Sequence, residues 1–304
     1  MNIDNDYLGM KFIWFFGVVE DRNDPIKLGR VRVRCYGWYS ADKNTKVPVE
    51  NLPWAQIIQP PTSAAMGDIG RSPTGIVEGS WVIGFFLDGV RYQQPIIMGT
   101  ISGIPQEFAN KFKGFNDPNG VYPKRINEPD VNRLSRNDED LQHINPSLKN
   151  STRTTEVEQA NGTGSWNEPI SAYKAEYPRN HVTETEAGHI KEYDDTEGQE
   201  RIHEYHKAGT FYEIDKEGNK VTRIVGDSYE VVAGSDFVNV KGDCNLTIDN
   251  NCNTYIKGNW NIQVDGTKTE VVKGFVSETY GNSQSTQVTG NIDIDSKGGR
   301  IDLN

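Results

Sequence analysis

The sequence of 304 residues predicts an all-β protein in three parts. A small barrel lies at the N-terminal end, an extended linker follows, and the C-terminal part is an intertwined triple-stranded β-helix made by a homotrimer. Three observations predict this. Runs with period-two alternation fill residues 1–102, and proline-rich sequence without periodicity fills 103–180. The tail, 226–304, repeats every eight residues. Only 35% of the residues are hydrophobic and the mean hydropathy is −0.67, so one large core is not expected. The 6 Trp, 13 Tyr and 11 Phe nevertheless supply enough burial to argue against disorder throughout.

Residues 1–102 contain five strand-like runs: Phe12–Glu20, Arg30–Tyr36, Trp54–Gln59, Trp81–Leu87 and Gln94–Ile101. In the second run Val31, Val33 and Cys35 alternate with Arg30, Arg32 and Arg34, which predicts the apolar side chains inward and the three arginines outward. Pro48, Pro53, Pro60, Pro61 and the stretch Gly67–Gly75 mark the connections. Five strands in about 100 residues suit the five-stranded oligonucleotide/oligosaccharide-binding barrel, the OB-fold.

The linker, 103–180, carries Pro105, Pro118, Pro123, Pro129, Pro146, Pro169 and Pro178, and its 150–164 tract reads as solvated and extended. Trp166 and Tyr173 are expected to anchor it on another surface. Residues 181–225 form a neck. Its alternating segments 189–194, 201–206, 210–215 and 220–225 are separated by the turn chemistry of Asp195–Gly198, Lys207–Gly209 and Lys216–Asn219.

Steps of eight from Gly226 reach Gly234, Gly242, Asn250, Gly258, Gly266, Gly274, Asn282, Gly290 and Gly298. Glycine and asparagine are the residues that best tolerate a left-handed backbone, so these positions are read as tight turns. Two residues before each stands Ile224, Val232, Val240, Ile248, Ile256, Val264, Val272, Tyr280, Val288 or Ser296, and all but the last are apolar. One octad buries too little to make a core from one chain. Three chains around one axis bring three copies of each Val or Ile together and leave no long free edge. Among these, Val232, Val240, Ile248, Ile256, Val264, Val272 and Val288 are expected to form the trimer core. A single-chain β-roll is the competing reading, but the paired glycines and aspartates of the calcium-binding type are missing.

Several functions are disfavoured by composition. With 32 basic against 43 acidic residues the net charge is −11, which argues against wrapping nucleic acid and suits a soluble surface. No run of about 18 apolar residues is present to span a bilayer as a helix. The start, MNIDNDY, is acidic where a secretory signal is basic. Cys35, Cys244 and Cys252 form no disulfide framework and have no zinc-type spacing; the last two, one octad apart, are read as small apolar residues of the shaft wall.

Catalytic and metal chemistry is equally sparse, and no catalytic residue, metal ligand or cofactor is expected. His203 and His206, three apart on a strand, point to opposite faces and make a poor metal pair. A three-chain axial site using His181 and His189 is the remaining metal reading. Gly67-Asp68-Ile69-Gly70-Arg71 lacks the lysine of a phosphate loop, and no Gly-x-Ser-x-Gly elbow occurs. Arg22, Lys27, Arg30, Arg32 and Arg34 either form a basic barrel face of the kind that binds single strands or are a solvated or docking face.

Particular motifs resemble a known family. Gly29-Arg30-Val31-Arg32-Val33, Pro53-Trp54-Ala55 and Gly79-Ser80-Trp81-Val82 resemble the OB-fold domain of the central spikes of T4-like phage baseplates. The segments Tyr177–Val182, Glu186–His189, Asp194–Thr196, Gly198–His203 and Gly209–Phe211 are similar to the junction those spikes share with the VgrG spikes of type VI secretion. The octads resemble the spike's triple-stranded β-helix. This implies a homotrimer under a trimeric baseplate hub protein. A PAAR-type tip protein would sit on the C-terminal end at Ile301 and Leu303, with transient contact to a host outer membrane. Location in the virion, in the phage tail baseplate, after assembly in the host cytoplasm is implied as well.

One departure stands out. The family's phage member carries a lysozyme domain between barrel and shaft, and residues 103–180 are too few for one. Its pattern of Glu, Asp nine later and Thr six further is missing too, since Glu128, Glu139 and Glu168 are followed nine later by Asn137, Leu148 and Tyr177. A carboxylate pair also needs a cleft to set its separation and shift one pKa. The expectation is a membrane-puncturing spike without lysozyme activity. A type VI or related injection spike and a trimeric, glycan-binding tail fibre are the alternatives, and a lytic enzyme comes third.

Overall fold

The computed structural model describes residues 12–137, 153–162, 164–299 and 301. Contacts divide the chain into two units, Met1–Thr247 and Ile248–Asn304.

In the first unit, five strands close a barrel in the order β1-β2-β3-β5-β4: β1 (Trp14–Asp21), β2 (Val31–Cys35), β3 (Trp54–Ile57), β4 (Trp81–Phe86) and β5 (Pro95–Ile101). All five coincide with the runs read from the sequence, and the closed five-strand barrel is that of an OB domain. Pairing is antiparallel except between β3 and β5. Phe15, Val19, Val31, Val33, Cys35, Ala55, Val82, Phe86 and Ile97 fill the interior, one side of each alternating strand. Burial pushes the Cys35 thiol up, so it stays a neutral packing group. Closure demands glycine at position 84, where a Cβ would lie 2.0 Å from the Ile96 carbonyl oxygen, beside the register shift at Ile83/Gly84.

The barrel corrects one expectation. Arg34 does leave β2 on the side away from the core, but that side is not solvated: its side chain is fully buried. A register shift between Val19 and Asp21 brings Glu20 alongside it. Arg34 donates to both Glu20 oxygens, Nε at 2.7 Å and Nη2 at 2.9 Å, and to the carbonyls of Ser40 and Val47. Residues 113–117 roof the pair: the Phe115 amide donates to Glu20 at 2.9 Å, and a Cβ on Gly114 would lie 2.5 Å from Arg34 Cδ. The covering segment is far away in sequence, so alternation alone shows the direction of Arg34 and not its surroundings.

After β5 the described residues run largely without regular structure, with a helical turn α1 (Arg133–Arg136) capped by Asn132, a 3-10 turn at Ala160–Gly162 and a two-strand hairpin, β6 (Val157–Glu158) with β7 (Ser165–Trp166). A meander follows, β12-β11-β10-β9-β8, antiparallel throughout. Its strands are β8 (Asn180–Glu184), β9 (Ile190–Asp194), β10 (Arg201–Tyr205), β11 (Phe211–Ile214) and β12 (Lys220–Arg223). Four match the alternating segments of the sequence, and β8 is an addition that the segments read from the sequence do not include. One face packs Ile190, Tyr205 and Phe211 against Leu134 of α1 and Tyr173.

Removing the Arg34 guanidinium leaves the buried Glu20 carboxylate with only Lys43, at 3.9 Å, as counter-charge. Arg34→Ala is expected to destabilise the barrel by about 3–5 kcal/mol, while Arg91→Ala on an exposed loop changes little. Urea unfolding of both full-length variants, followed by tryptophan fluorescence, measures the difference.

Candidate functional site

Two regions carry the features that set this chain apart: the repeat tail and the junction of barrel, linker and meander.

In the tail the backbone bends at residues 225–226, 233–234, 241–242, 249–250, 257–258, 265–266, 273–274, 281–282, 289–290 and 297–299, once per octad and at each of the ten repeat positions. The side chains two residues before each bend form a distinct class. From Ile224 through Val288 these nine apolar residues are 43–54% exposed, whereas the other large apolar side chains of the tail, 226–299, range from 54% to 92%. The first class is less exposed within its own chain and is still about half open. Ile301 is also half exposed, and Leu303 lies outside the described residues.

The reason given for the repeat glycines needs correction. None of Gly226, Gly234, Gly242, Gly258, Gly266, Gly274, Gly290 and Gly298 has a left-handed φ, and a Cβ on any of them would meet nothing within 4 Å. Neither backbone conformation nor crowding inside the chain demands glycine there. Cys244 and Cys252 are exposed, not covered, in the single chain.

The junction is polar and well satisfied. Glu186, in the turn between β8 and β9, accepts Arg22 Nη1 at 2.6 Å, Arg22 Nη2 at 3.1 Å and the Tyr122 hydroxyl at 2.7 Å. Arg22 also pairs with Glu78 at 3.1 Å. One carboxylate thus joins the end of β1, the linker and the meander. These donors, Arg22 first, hold the Glu186 carboxyl down at about 2. Burial and the hydrogen bond to Glu186 push the Tyr122 phenol up to about 12.

Under the linker, the meander buries charge. Glu192 accepts Asn180 Nδ2 at 3.0 Å and Arg201 Nη1 at 3.1 Å, and lies 2.7 Å from His203 Nδ1. Glu213 accepts Arg201 Nε at 2.7 Å, Ser171 Oγ at 2.8 Å and the Ala172 amide at 2.9 Å, which pins the linker to the sheet. Burial works to raise both carboxyls, but the hydrogen bond from His203 and the charge of Arg201 at Glu192, and the charge of Arg201 with the Ala172 amide at Glu213, outweigh it and leave both below the usual range. Tyr173 is half-buried in this packing and donates to the Leu134 carbonyl at 2.6 Å, while Trp166 stays largely exposed.

These contacts decide the sequence candidates for chemistry. His203 is buried in the sheet and His206 is at the surface. The His206 ring instead lies 4.5 Å from that of His189. Among the described residues, no group of three His, Cys, Asp or Glu side chains is arranged to hold a metal ion. Glu128 is gripped by Arg133 at 2.5 Å and Arg136 at 2.7 Å, which hold its carboxyl at about 2, the opposite of what a general acid needs. Glu168 receives Arg223 at 2.7 Å, and Glu139 lies outside the described residues. Arg30 is bound by Asp24, and Arg32 donates to the carbonyls of Val49 and Leu52 with its guanidinium over the Trp54 ring. With Arg34 sealed and Arg22 held by Glu78 and Glu186, the four arginines of the basic barrel face are taken up by internal contacts, and Lys27 is exposed.

Residues 39–181 match the family described as the Gp5 N-terminal OB domain, so the match begins inside the barrel and runs through the linker into β8. The chain is 43% identical to Protein Gp5 of Vibrio phage KVP40 over 251 residues, 73% of this chain and 59% of that protein. Over 130 residues it is 49% identical to the pre-baseplate central spike protein Gp5 of Enterobacteria phage T4, covering 41% of this chain and 22% of that one. The chain is thus similar in sequence to these two phage Gp5 proteins, and it spans about three fifths or less of the length of each.

The Glu186 clamp has a testable pH dependence. Its carboxyl sits at about 2 when folded against an ordinary 4.5, so its contribution is complete above about pH 4.5 and is lost as pH falls through 2. Glu186→Gln is expected to speed hydrogen exchange of residues 120–124 about two- to fivefold at pH 7. In the unsubstituted chain the same loss is expected only near pH 2, after correction for intrinsic rates.

Proposed function

We propose that this chain is the central spike of a contractile-tail baseplate, a homotrimer whose octads form a stiff puncturing shaft. The observation that carries this is the column of nine half-exposed apolar side chains from Ile224 to Val288, which a single chain leaves incomplete. Three copies around one axis complete it, and the repeat glycines then have a purpose in admitting a neighbouring backbone. The names of the relatives support the setting, one of them being a pre-baseplate central spike protein. In this reading the barrels form a ring under a trimeric hub protein. A PAAR-type tip covers the end at Ile301 and Leu303, and the trimer resides in the virion baseplate. The work is mechanical. Chains wound around one another resist peeling, because each strand is hydrogen-bonded to two others.

The reading includes the absence of muramidase activity. Support comes from the ion pairs that occupy Glu128 and Glu168, the first of which holds its carboxyl at about 2 where a general acid needs it raised.

Sedimentation of the full chain is expected to give about 102 kDa, three times 34.1 kDa, and a chain ending before Asp227 is expected to be monomeric. Monomers in both cases would overturn the shaft. Gly258→Ala is expected to lower the melting point of the trimer by about 2–4 °C without changing Arg34-dependent barrel unfolding, because nothing in its own chain opposes the added Cβ. Purified trimer is expected to release no sugar from peptidoglycan; measurable hydrolysis refutes the non-enzymatic reading.

A further inference from the structure

The octads carry a second pattern, with twice the period of the first. The first residue of five successive bends is Lys241, Asp249, Lys257, Asp265 and Lys273. Before this block the position holds Val225 and Ala233, and after it Gly281, Thr289 and Lys297. All five alternating residues are exposed, and among the described residues none forms an ion pair within its own chain. The tail can form such pairs, since Lys268 meets Glu270 at 2.8 Å. Asp265 accepts only a hydrogen bond, from Gln263 Nε2 at 2.9 Å.

We infer that this column is an interchain ion-pair ladder that fixes the axial register of the three copies. The inference rests on the trimeric reading above, and the partner is a second copy of this chain. Three-fold symmetry supplies the geometry. If each bend carries a chain from one face of the prism to the next, three bends return it to the face it left. The strand lying above a given octad on one face is then the following octad of the neighbouring copy, and adjacent strands in a sheet are about 4.7–4.9 Å apart. Residues eight apart in sequence, taken from neighbouring copies, therefore stand one above the other at a corner. Lys257 of one copy stands between Asp249 and Asp265 of the others.

The apolar and glycine positions cannot provide this information. They recur in nearly every octad, with Asn250 and Asn282 and the Tyr280 and Ser296 positions the main exceptions, so sliding one copy by one octad mostly sets Val or Ile on Val or Ile and Gly beside Gly, and a repeat of that kind specifies register weakly. The alternating charges remove the ambiguity. A slip of one octad, in either direction, sets Lys beside Lys and Asp beside Asp along the whole block, and like charges directly opposite are destabilising.

The test uses full-length chains. In the inverted chain all five residues change sign: Lys241→Asp, Asp249→Lys, Lys257→Asp, Asp265→Lys and Lys273→Asp. In the uniform chain Asp249→Lys and Asp265→Lys make the column wholly basic. Alone, the inverted chain is expected to match the parent in sedimented mass and melting point. The uniform chain is expected to melt lower at low salt, with the gap closing as salt screens the corners. Refolding tagged parent with inverted chain is the decisive mixture. Random assembly makes about three quarters of trimers mixed, and the ladder is expected to cut that share to under about one tenth at low salt. A parent that sediments as a monomer removes the trimer and the ladder together. A trimeric parent that mixes at random with the inverted chain, or an inverted chain that fails to assemble by itself, overturns the ladder and leaves the trimer standing.

Discussion

A tail that turns one branched side chain inward every eight residues cannot hold itself together, and this shortage of core is the constraint on which the rest depends. Covering the open half of one Val or Ile contributes on the order of 1 kcal/mol, about what it costs to fix the backbone of a single residue. An isolated octad therefore has no reason to stay ordered. The nine half-open side chains from Ile224 to Val288 express that deficit in the geometry of the chain itself. In the proposed trimer, assembly around a common axis would answer it, because each chain would supply the missing wall of the others' core and pair its backbone along its length.

The first unit solves the opposite problem. The barrel has a core of its own, closed on all sides and tight enough that Gly84 admits no Cβ. The meander has one apolar cluster and, beside it, a set of buried charges made from Glu192, Arg201, His203 and Glu213. Buried ion networks of this kind add little net stability, but they tolerate only one arrangement of their neighbours. Here the neighbours are the linker residues Ser171 and Ala172, whose donors complete Glu213. Glu186 does the same for the end of β1 and Tyr122. The linker is thereby fixed against both barrel and meander at defined points rather than left as a tether.

The alternation of Lys and Asp in the octads places a third demand on the same tail. Uniform repeats give a uniform shaft, and uniform shafts slip. In the proposed shaft, strength along the axis would need every chain to begin and end at the same level, which near-identical octads encode poorly and a doubled period encodes better.

Much of this was legible in the sequence for a physical reason: strand alternation and the octad period are local, and side chains two or eight residues apart report on the same face. The five barrel strands, four of the five meander strands and the positions of the ten bends follow from that locality. Strand β8 was harder to see, since only Val182 in Asn180–Glu184 is apolar and its pairing with β9 provides the order. What only the tertiary structure decided lies between distant residues. Arg34 reads as a solvated arginine until Phe115, 95 residues after Glu20, closes over the pair. Glu186 reads as a turn residue until Arg22, 164 positions earlier, reaches it. The repeat glycines read as left-handed turns, and the backbone shows ordinary φ with empty space beside them. Period and alternation fix which way a side chain points, while what it meets there is set by whichever part of the chain folds back over it.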